Sequence, residues 1–279
     1  MSTTEQDIHP TSKGYHNKNT TDNYVKGRPG YSKEVFQYIK ETFPQLTKDS
    51  VIVDLAAGTG KFTELLVSEG GFRNVIAIEP SKEFRDACTE VLEKQGLGDT
   101  LKYQVLEGTS TRMPLPDASV DMLCIAQAFH WFSNEDSLKE ISRVLKSGAI
   151  LFMVWNDMDV NVPWIKQLTD VFHEKYYDGF TPQYRSGKWK QVFETLKQRN
   201  DNSLVKYNLN HAAFVNPHVA SHESIYNRVF STSYISILPQ DKKDILRGEI
   251  EHVLKTNPEV ANKDTFILPY NVDIYWTTK

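Results

Sequence analysis

Four residues carry the chemistry of this chain. Asp54, Gly58 and Gly60 fall in the run Asp-Leu-Ala-Ala-Gly-Thr-Gly at 54–60, and Glu79 closes the next apolar run. Glycine lets a backbone turn sharply and approach a ligand closely, because it carries no Cβ. The free N–H groups of a helix that follows face the same space. A carboxylate ending the second strand accepts hydrogen bonds from both hydroxyls of a ribose. Two cofactor classes share these needs, a dinucleotide and S-adenosylmethionine. The dinucleotide fingerprint has a third glycine where this chain has Thr63, and it seats a pyrophosphate that Asp54 would repel. An acid at the head of the motif instead faces the amino group of a methionine moiety, directly or through water. The order of residues favours the sulfonium cofactor.

Such residues need strands whose carboxyl ends lie side by side. Five short apolar runs, at 51–55, 75–78, 103–106, 120–125 and 149–155, have the look of strands buried on both faces. Helical patterns at 61–68, 82–94 and 134–145 separate them, the last stopped by Lys146, Ser147 and Gly148. A further helix is expected at 32–42, with Ser32 as N-cap, Val35, Phe36 and Ile39 on one face, and Pro44 beyond its end. The alternation predicts an α/β fold with a doubly wound, mostly parallel open sheet. After Trp155 it breaks: helices are expected at 163–177, 188–197, 221–230 and 240–255, and strands at 204–209 and 266–277. The reading is one domain over 24–279, with a cofactor half at 24–156 and a helical cap with late strands at 157–279. A polar, flexible leader at 1–23 precedes it.

Composition narrows the partners. Lys plus Arg number 32 against 36 Asp plus Glu, a net charge of −4, which leaves no electrostatic footprint for nucleic acid or an anionic membrane. No run approaches the roughly 20 apolar residues that span a bilayer. Only Cys88 and Cys124 are present, so a disulfide framework or Cys-rich zinc site is excluded and a cytoplasmic setting is expected. No obligate protein partner is inferred. His218 and His222 are four apart but straddle a helix start, so no metal site is assigned.

Over roughly 24–156 the chain resembles the class I S-adenosylmethionine-dependent methyltransferases. Residues 54–60 look like their first motif, and Glu79, Pro80 and Ser81 like the ribose-binding acid and the turn after it. Residues 107–116 look like the segment framing the adenine, where Thr109 and Ser110 would touch it, and 145–148 like the turn before the fifth strand. The resemblance implies S-adenosyl-L-methionine as cofactor and a seven-stranded Rossmann-like sheet whose last strand is antiparallel, with 273–277 inserted. One departure is Ala56, standing where many members have glycine; alanine avoids φ > 0, so a less extreme turn is expected there. Residues 24–31 and 126–132 are similar to the small-molecule branch that includes trans-aconitate methyltransferases. That likeness implicates Tyr24 and Arg28, with Gln127 and Ala128, at the cofactor's methionyl end.

The acceptor side is open to two readings at each residue. His130 is a general base or a packing residue; a base is needed only where the acceptor starts protonated, as an alcohol does and a carboxylate does not. Trp131, Trp155, Phe129 and Trp164 line an apolar acceptor pocket or fill a core. Arg28 and Arg185 hold a carboxylate or make surface ion pairs. Residues 157–204 and the helices of 221–255 are expected to form the acceptor lid, shaped partly by Tyr176 and Tyr177. The expected activity is in-line transfer of a methyl group to a small molecule, most readily to an oxygen, as carboxylate or hydroxyl. A nucleotide-cofactor oxidoreductase on a related fold and a catalytically inactive binding subunit are the alternatives. Nucleic-acid methylation is disfavoured, because an Asn/Asp-Pro-Pro-aromatic tetrapeptide is missing where Ala126, Gln127, Ala128 and Phe129 stand.

Overall fold

The computed structural model describes residues 28–95 and 101–279; Tyr24 and the expected leader at 1–23 lie outside the described residues. Helix α1 (Lys33–Thr42) leads into β1 (Val51–Leu55), α2 (Lys61–Ser68), β2 (Asn74–Ile78), α3 (Lys82–Glu93) and β3 (Lys102–Leu106). Then come β4 (Val120–Ala126), a 3₁₀ turn at Phe129–Trp131, α4 (Glu135–Val144) and β5 (Leu145–Met158). The strands take the order β3-β2-β1-β4-β5-β7-β6. From β3 to β5 all neighbours are parallel, and their buried β-branched and apolar residues reflect cover on both faces. α1, α2 and α3 bury Phe36, Phe62, Leu66 and Cys88 on one face; Leu138 and Ile141 of α4 pack on the other.

The second half departs from the sequence reading at one strand. Helices α5 (Pro163–Tyr176), α6 (Gln191–Gln198), α7 (His222–Phe230) and α9 (Gln240–Thr256) stand close to their expected places, with a short α8 (Ser233–Ser236) added. No strand forms at 204–209. Its apolar residues Leu204, Val205 and Leu209 instead pack as irregular chain beneath the α4 face of the sheet. The strand is β6 (Asn210–Ala220), an edge strand that alternates side-chain exposure and tolerates Pro217, as only an edge can. β7 (Phe266–Thr278) lies between β5 and β6, antiparallel to both, so residues 273–277 are inserted as expected.

The outer ends of β5, β6 and β7 run beyond the parallel core to carry α5, α7 and α9 around a third apolar cluster, with Trp164, Phe266 and Tyr270 in it. Helix α4 also ends one residue earlier than expected. Leu145 already pairs with Val120, and the Lys-Ser-Gly segment forms an irregularity inside β5, with Gly148 at φ 73°. Among the described residues no helix is long and apolar enough to cross a membrane.

Candidate active site

A deep cavity opens at the carboxyl ends of β1, β2 and β4, roofed by the helices that follow β5. Its floor is built by the turn from β1 into α2. Gly60 caps α2 at φ 81°, and Gly58 stands at φ 57° with open space where a Cβ would go. Ala56 takes φ 60°, not the milder turn expected of it. Gln127, at the end of the neighbouring β4, also takes φ 60°. A non-glycine residue held there costs on the order of 1–2 kcal/mol, and such strain collects where a backbone must bend around a ligand.

Glu79 ends β2 nearly buried. Its Oε2 accepts the Gly58 N–H at 3.0 Å and its Oε1 accepts the Ser81 N–H at 3.0 Å, so two backbone donors from two turns aim the carboxylate. Arg85 staples that second turn, donating to the carbonyls of Glu79 and Pro80 and pairing with Glu107 after β3. Ser81 accepts from Phe84 N–H and caps α3. On the adjoining wall Ser137 of α4 hydrogen-bonds Ser110 at 2.9 Å, fixing the Thr109–Ser110 corner.

Asp54 lies under this floor with no exposed surface. Thr63 donates to its Oδ2 at 2.6 Å, whereas its Oδ1 is buried without a partner among the described residues. Burial, with Glu79 nearby, pushes the Asp54 carboxyl up to about 7 from 3.8. The residues therefore suit a cationic, ribose-bearing cofactor: an orphaned acid oxygen, a second acid aimed by two amides, and a turn without a Cβ. Thr63, read in the sequence only as an absent glycine, is the side chain that orients that acid.

Ala56, Gly58, Glu79, Pro80, Ser81, Thr109, Ser110, Gln127 and Ala128 all line the cavity, as does Arg28. Gly60 does not reach it; its role is the turn itself. Arg28 donates to the Ser231 carbonyl at 3.3 Å, and Lys61 of α2 donates to the Arg28 carbonyl. Burial and Arg28 lower the Lys61 ammonium to about 8. Asn156 and Asn216 both donate to the Gly30 carbonyl, tying this segment to the sheet edge.

The opposite end of the cavity belongs to the cap. Trp131, His130 and Arg185 line it. Trp155, Trp164 and Phe129 do not: each is buried behind the wall, Trp155 of β5 stacked on Tyr184 at 4.6 Å, Phe129 of the 3₁₀ turn against Phe193 at 5.7 Å, and Trp164 of α5 edge-on to Phe266 at 5.5 Å. Tyr176 and Tyr177 stay outside the lining too, which α5 supplies through Phe172 and His173. Among the lining groups that escaped the sequence reading are Asp157, Tyr184, Arg228 and Tyr234. They come from four separate elements or turns, and no spacing in the chain announces them.

Arg185 grips Asp157 with Nη2 at 2.8 Å from Oδ1 and with Nε on the other oxygen. Arg228 of α7 donates to Thr232 at 3.3 Å and has no ion pair among the described residues. His173 hydrogen-bonds Tyr234 at 3.0 Å, and burial with Arg185 nearby lowers its ring below the usual value. Burial raises the Tyr184 and Tyr234 phenols well above the usual range. His130, expected as a base, accepts the Trp155 indole N–H on Nδ1 at 3.1 Å, and burial with Arg28 lowers it to about 3. The ring nitrogen that carries the lone pair is thus already engaged by the indole. Among the described residues no cluster of side chains fits a metal ion.

The pH dependence of cofactor binding follows from Asp54. The α-ammonium at the ligand's amino-acid end favours the ionised carboxylate, so S-adenosylhomocysteine affinity should rise by up to about tenfold per unit up to pH 7 and level above it. Calorimetry from pH 5 to 8.5 checks this, and a flat profile would place the cation elsewhere. In the free protein the sign is opposite. The folded carboxyl lies above its unfolded value of 3.8, so stability falls as pH rises from about 4 to about 7 and is then constant.

A family model described as a methyltransferase domain matches residues 53–153, from β1 through β5. An uncharacterised methyltransferase-like protein of Schizosaccharomyces pombe is 31% identical over 94% of this chain and 94% of its own length. An uncharacterised methyltransferase of Mycobacterium tuberculosis strain H37Rv is 29% identical over 88% of each chain. Among solved structures, the YcgJ protein of Bacillus subtilis superposes with a TM-score of 0.54 at 15% identity, over 89% of this chain and 99% of its own. Phosphoethanolamine N-methyltransferase 2 of Haemonchus contortus, bound to S-adenosylhomocysteine and phosphomonomethylethanolamine, gives 0.52 at 12% identity, over 98% of this chain and 60% of its own.

Proposed function

Because the chain belongs to the family of methyltransferase domains and is an S-adenosylmethionine-dependent methyltransferase, we propose that it methylates a small organic acid on a carboxylate oxygen. The cofactor, when bound, supplies a methyl carbon made electrophilic by the sulfonium. Glu79 and the turn at Ala56 to Gly58 would hold it, with Asp54 beneath that turn and Arg28, Thr109, Ser110, Gln127 and Ala128 around it. The chain's own remaining task is to present an acceptor oxygen in line and exclude water.

The observation that carries the reading is the makeup of the cap end of the cavity. Arg185 and Arg228 stand there with phenols held protonated, two imidazoles each already hydrogen-bonded through Nδ1, and one carboxylate, Asp157, that Arg185 already engages. An alcohol or ammonium acceptor needs a base to accept its proton. A carboxylate arrives ionised and needs cations to bind it. The enclosing helices α5, α7 and α8 suit a small acceptor, and the mild net charge of −4 gives a nucleic acid no attachment.

The test is a panel of aliphatic carboxylic acids, phenols and amines with the methyl donor. The expected product is a methyl ester, detected as methanol released by alkali. Turnover of amines alone, rising with pH, would sink the proposal. Replacing Arg228 with Gln should raise the acceptor KM about 10- to 100-fold, the worth of one charge-assisted hydrogen bond, with S-adenosylhomocysteine affinity unchanged.

A further inference from the structure

We infer that His130 serves the acceptor as a neutral hydrogen-bond donor through Nε2, and that Trp155 is the positioning residue that fixes its tautomer. The acceptor meant here is that of the proposed reaction; the tautomer is a property of the chain alone.

The Trp155 indole donates to His130 Nδ1 at 3.1 Å. An indole nitrogen donates and never accepts, so Nδ1 must present a lone pair and the ring's single proton sits on Nε2. Trp155 has no freedom to turn away. It is fully buried on β5, stacked on Tyr184 and tilted against Trp189 at 4.5 Å, with Tyr275 of β7 edge-on at 6.0 Å. A second proton on Nδ1 would set two N–H groups against each other away from water. The charged groups facing the ring are Arg28, before α1, which opposes that proton, and Asp157, at the end of β5, which favours it; burial and Arg28 prevail. The Trp131 ring covers the imidazole at 5.2 Å. What the cavity receives from His130 is therefore the Nε2–H side.

A neutral donor of fixed direction fits a carboxylate acceptor. It orients one oxygen without taking or giving a proton, and it adds no cation beside a sulfonium. This is also why the His130–Trp131 pair reads as acid–base chemistry in the sequence and as orientation in three dimensions.

The tautomer is measured by two-bond proton–nitrogen correlation spectra of the whole chain labelled with ¹⁵N-histidine, from pH 5 to 9. A protonated Nε2, a bare Nδ1 and no titration are expected for His130. A proton on Nδ1, or a midpoint between pH 5 and 8, would overturn the inference. Trp155→Phe keeps the packing and removes the donor, so His130 should then show mixed tautomers and titrate; an unchanged ring would overturn the positioning role. Succinate added to protein saturated with S-adenosylhomocysteine is the acceptor-side probe, and the Nε2–H resonance should move downfield. Succinate that binds by calorimetry without moving that resonance overturns the donor role. Succinate that does not bind counts against the carboxylate reading alone, and the Trp155→Phe spectra still decide the tautomer. His130→Gln keeps a neutral donor and should retain at least about a tenth of the kcat, with a pH profile parallel to that of the parent. A loss of a thousandfold or more would restore the base.

Discussion

Gly60→Ala should cost the protein a large share of its stability, while Gly58→Ala, two residues away, should cost it much less. A Cβ on Gly60 would lie 2.7 Å from Cys88 Sγ and 3.1 Å from Cys88 Cα. The second contact is backbone of α3, so no side-chain rotation relieves it. To this is added the left-handed turn at φ 81°, worth about 1–2 kcal/mol against alanine. Overpacking of a closed core adds about 1–3 kcal/mol. Together these come to about 2–5 kcal/mol, a large share of the roughly 5–15 kcal/mol by which a domain is stable at all. Gly58 has no atom within 4 Å of the same construction, so its alanine carries only the backbone cost. That methyl group would, however, stand in the cavity where a cofactor comes close to the chain. Urea unfolding of both variants with calorimetry of S-adenosylhomocysteine separates the two effects. Equal stability of the two proteins would mean that the α2–α3 contact is not as tight as described.

Glu79→Ala should abolish cofactor binding in a protein that still folds. Two backbone amides aim the carboxylate, and among the described residues it is the one acid lining that end of the cavity. A carboxylate that takes two hydroxyl hydrogen bonds contributes about 1.5–3 kcal/mol from each, so a loss of at least 100-fold in affinity is expected. The variant also leaves the Gly58 and Ser81 amides without their carboxylate acceptor, so its folding is checked by urea unfolding beside the binding measurement. Glu79→Gln keeps one acceptor and one backbone bond and should fall between. Calorimetric binding within tenfold of the parent, in folded Glu79→Ala, would remove Glu79 from the site.

What the chain announces about this site is what lies close along it. Asp54, Gly58 and Gly60 share one turn, and Glu79 ends the next strand, so strand–helix alternation alone brings them together. The parallel half of the sheet is legible for the same reason, since strands covered on both faces are apolar throughout. β6 escaped because an edge strand needs one apolar face only; its Asn210, His211, Asn216 and Pro217 read as loop. The run at 204–209 misled in the opposite sense, being apolar because it is buried and not because it pairs. Ala56 shows the limit of residue preference: the cavity floor demands φ 60° and the fold supplies it at a cost. Arg228, Asp157 and the Trp155–His130 bond are products of packing between remote elements. His130 and Trp155 are 25 residues apart in sequence, and only the parallel pairing of β4 with β5 makes them neighbours.

The place of β7 has a consequence for the order in which the protein forms during synthesis. β6 is made long before β7, yet touches the sheet only through it, and β5 likewise waits for its outer neighbour. Until residues 266–278 have left the ribosome, β5 ends the sheet as an open edge and β6 has no strand to pair with. The cap helices grow from those unpaired strands, so the acceptor end of the cavity closes last, after the cofactor-binding half can already have formed. A nascent chain halted before residue 266 is thus expected to present an open edge with the apolar residues of the unassembled cap, the kind of surface that aggregates or recruits chaperones.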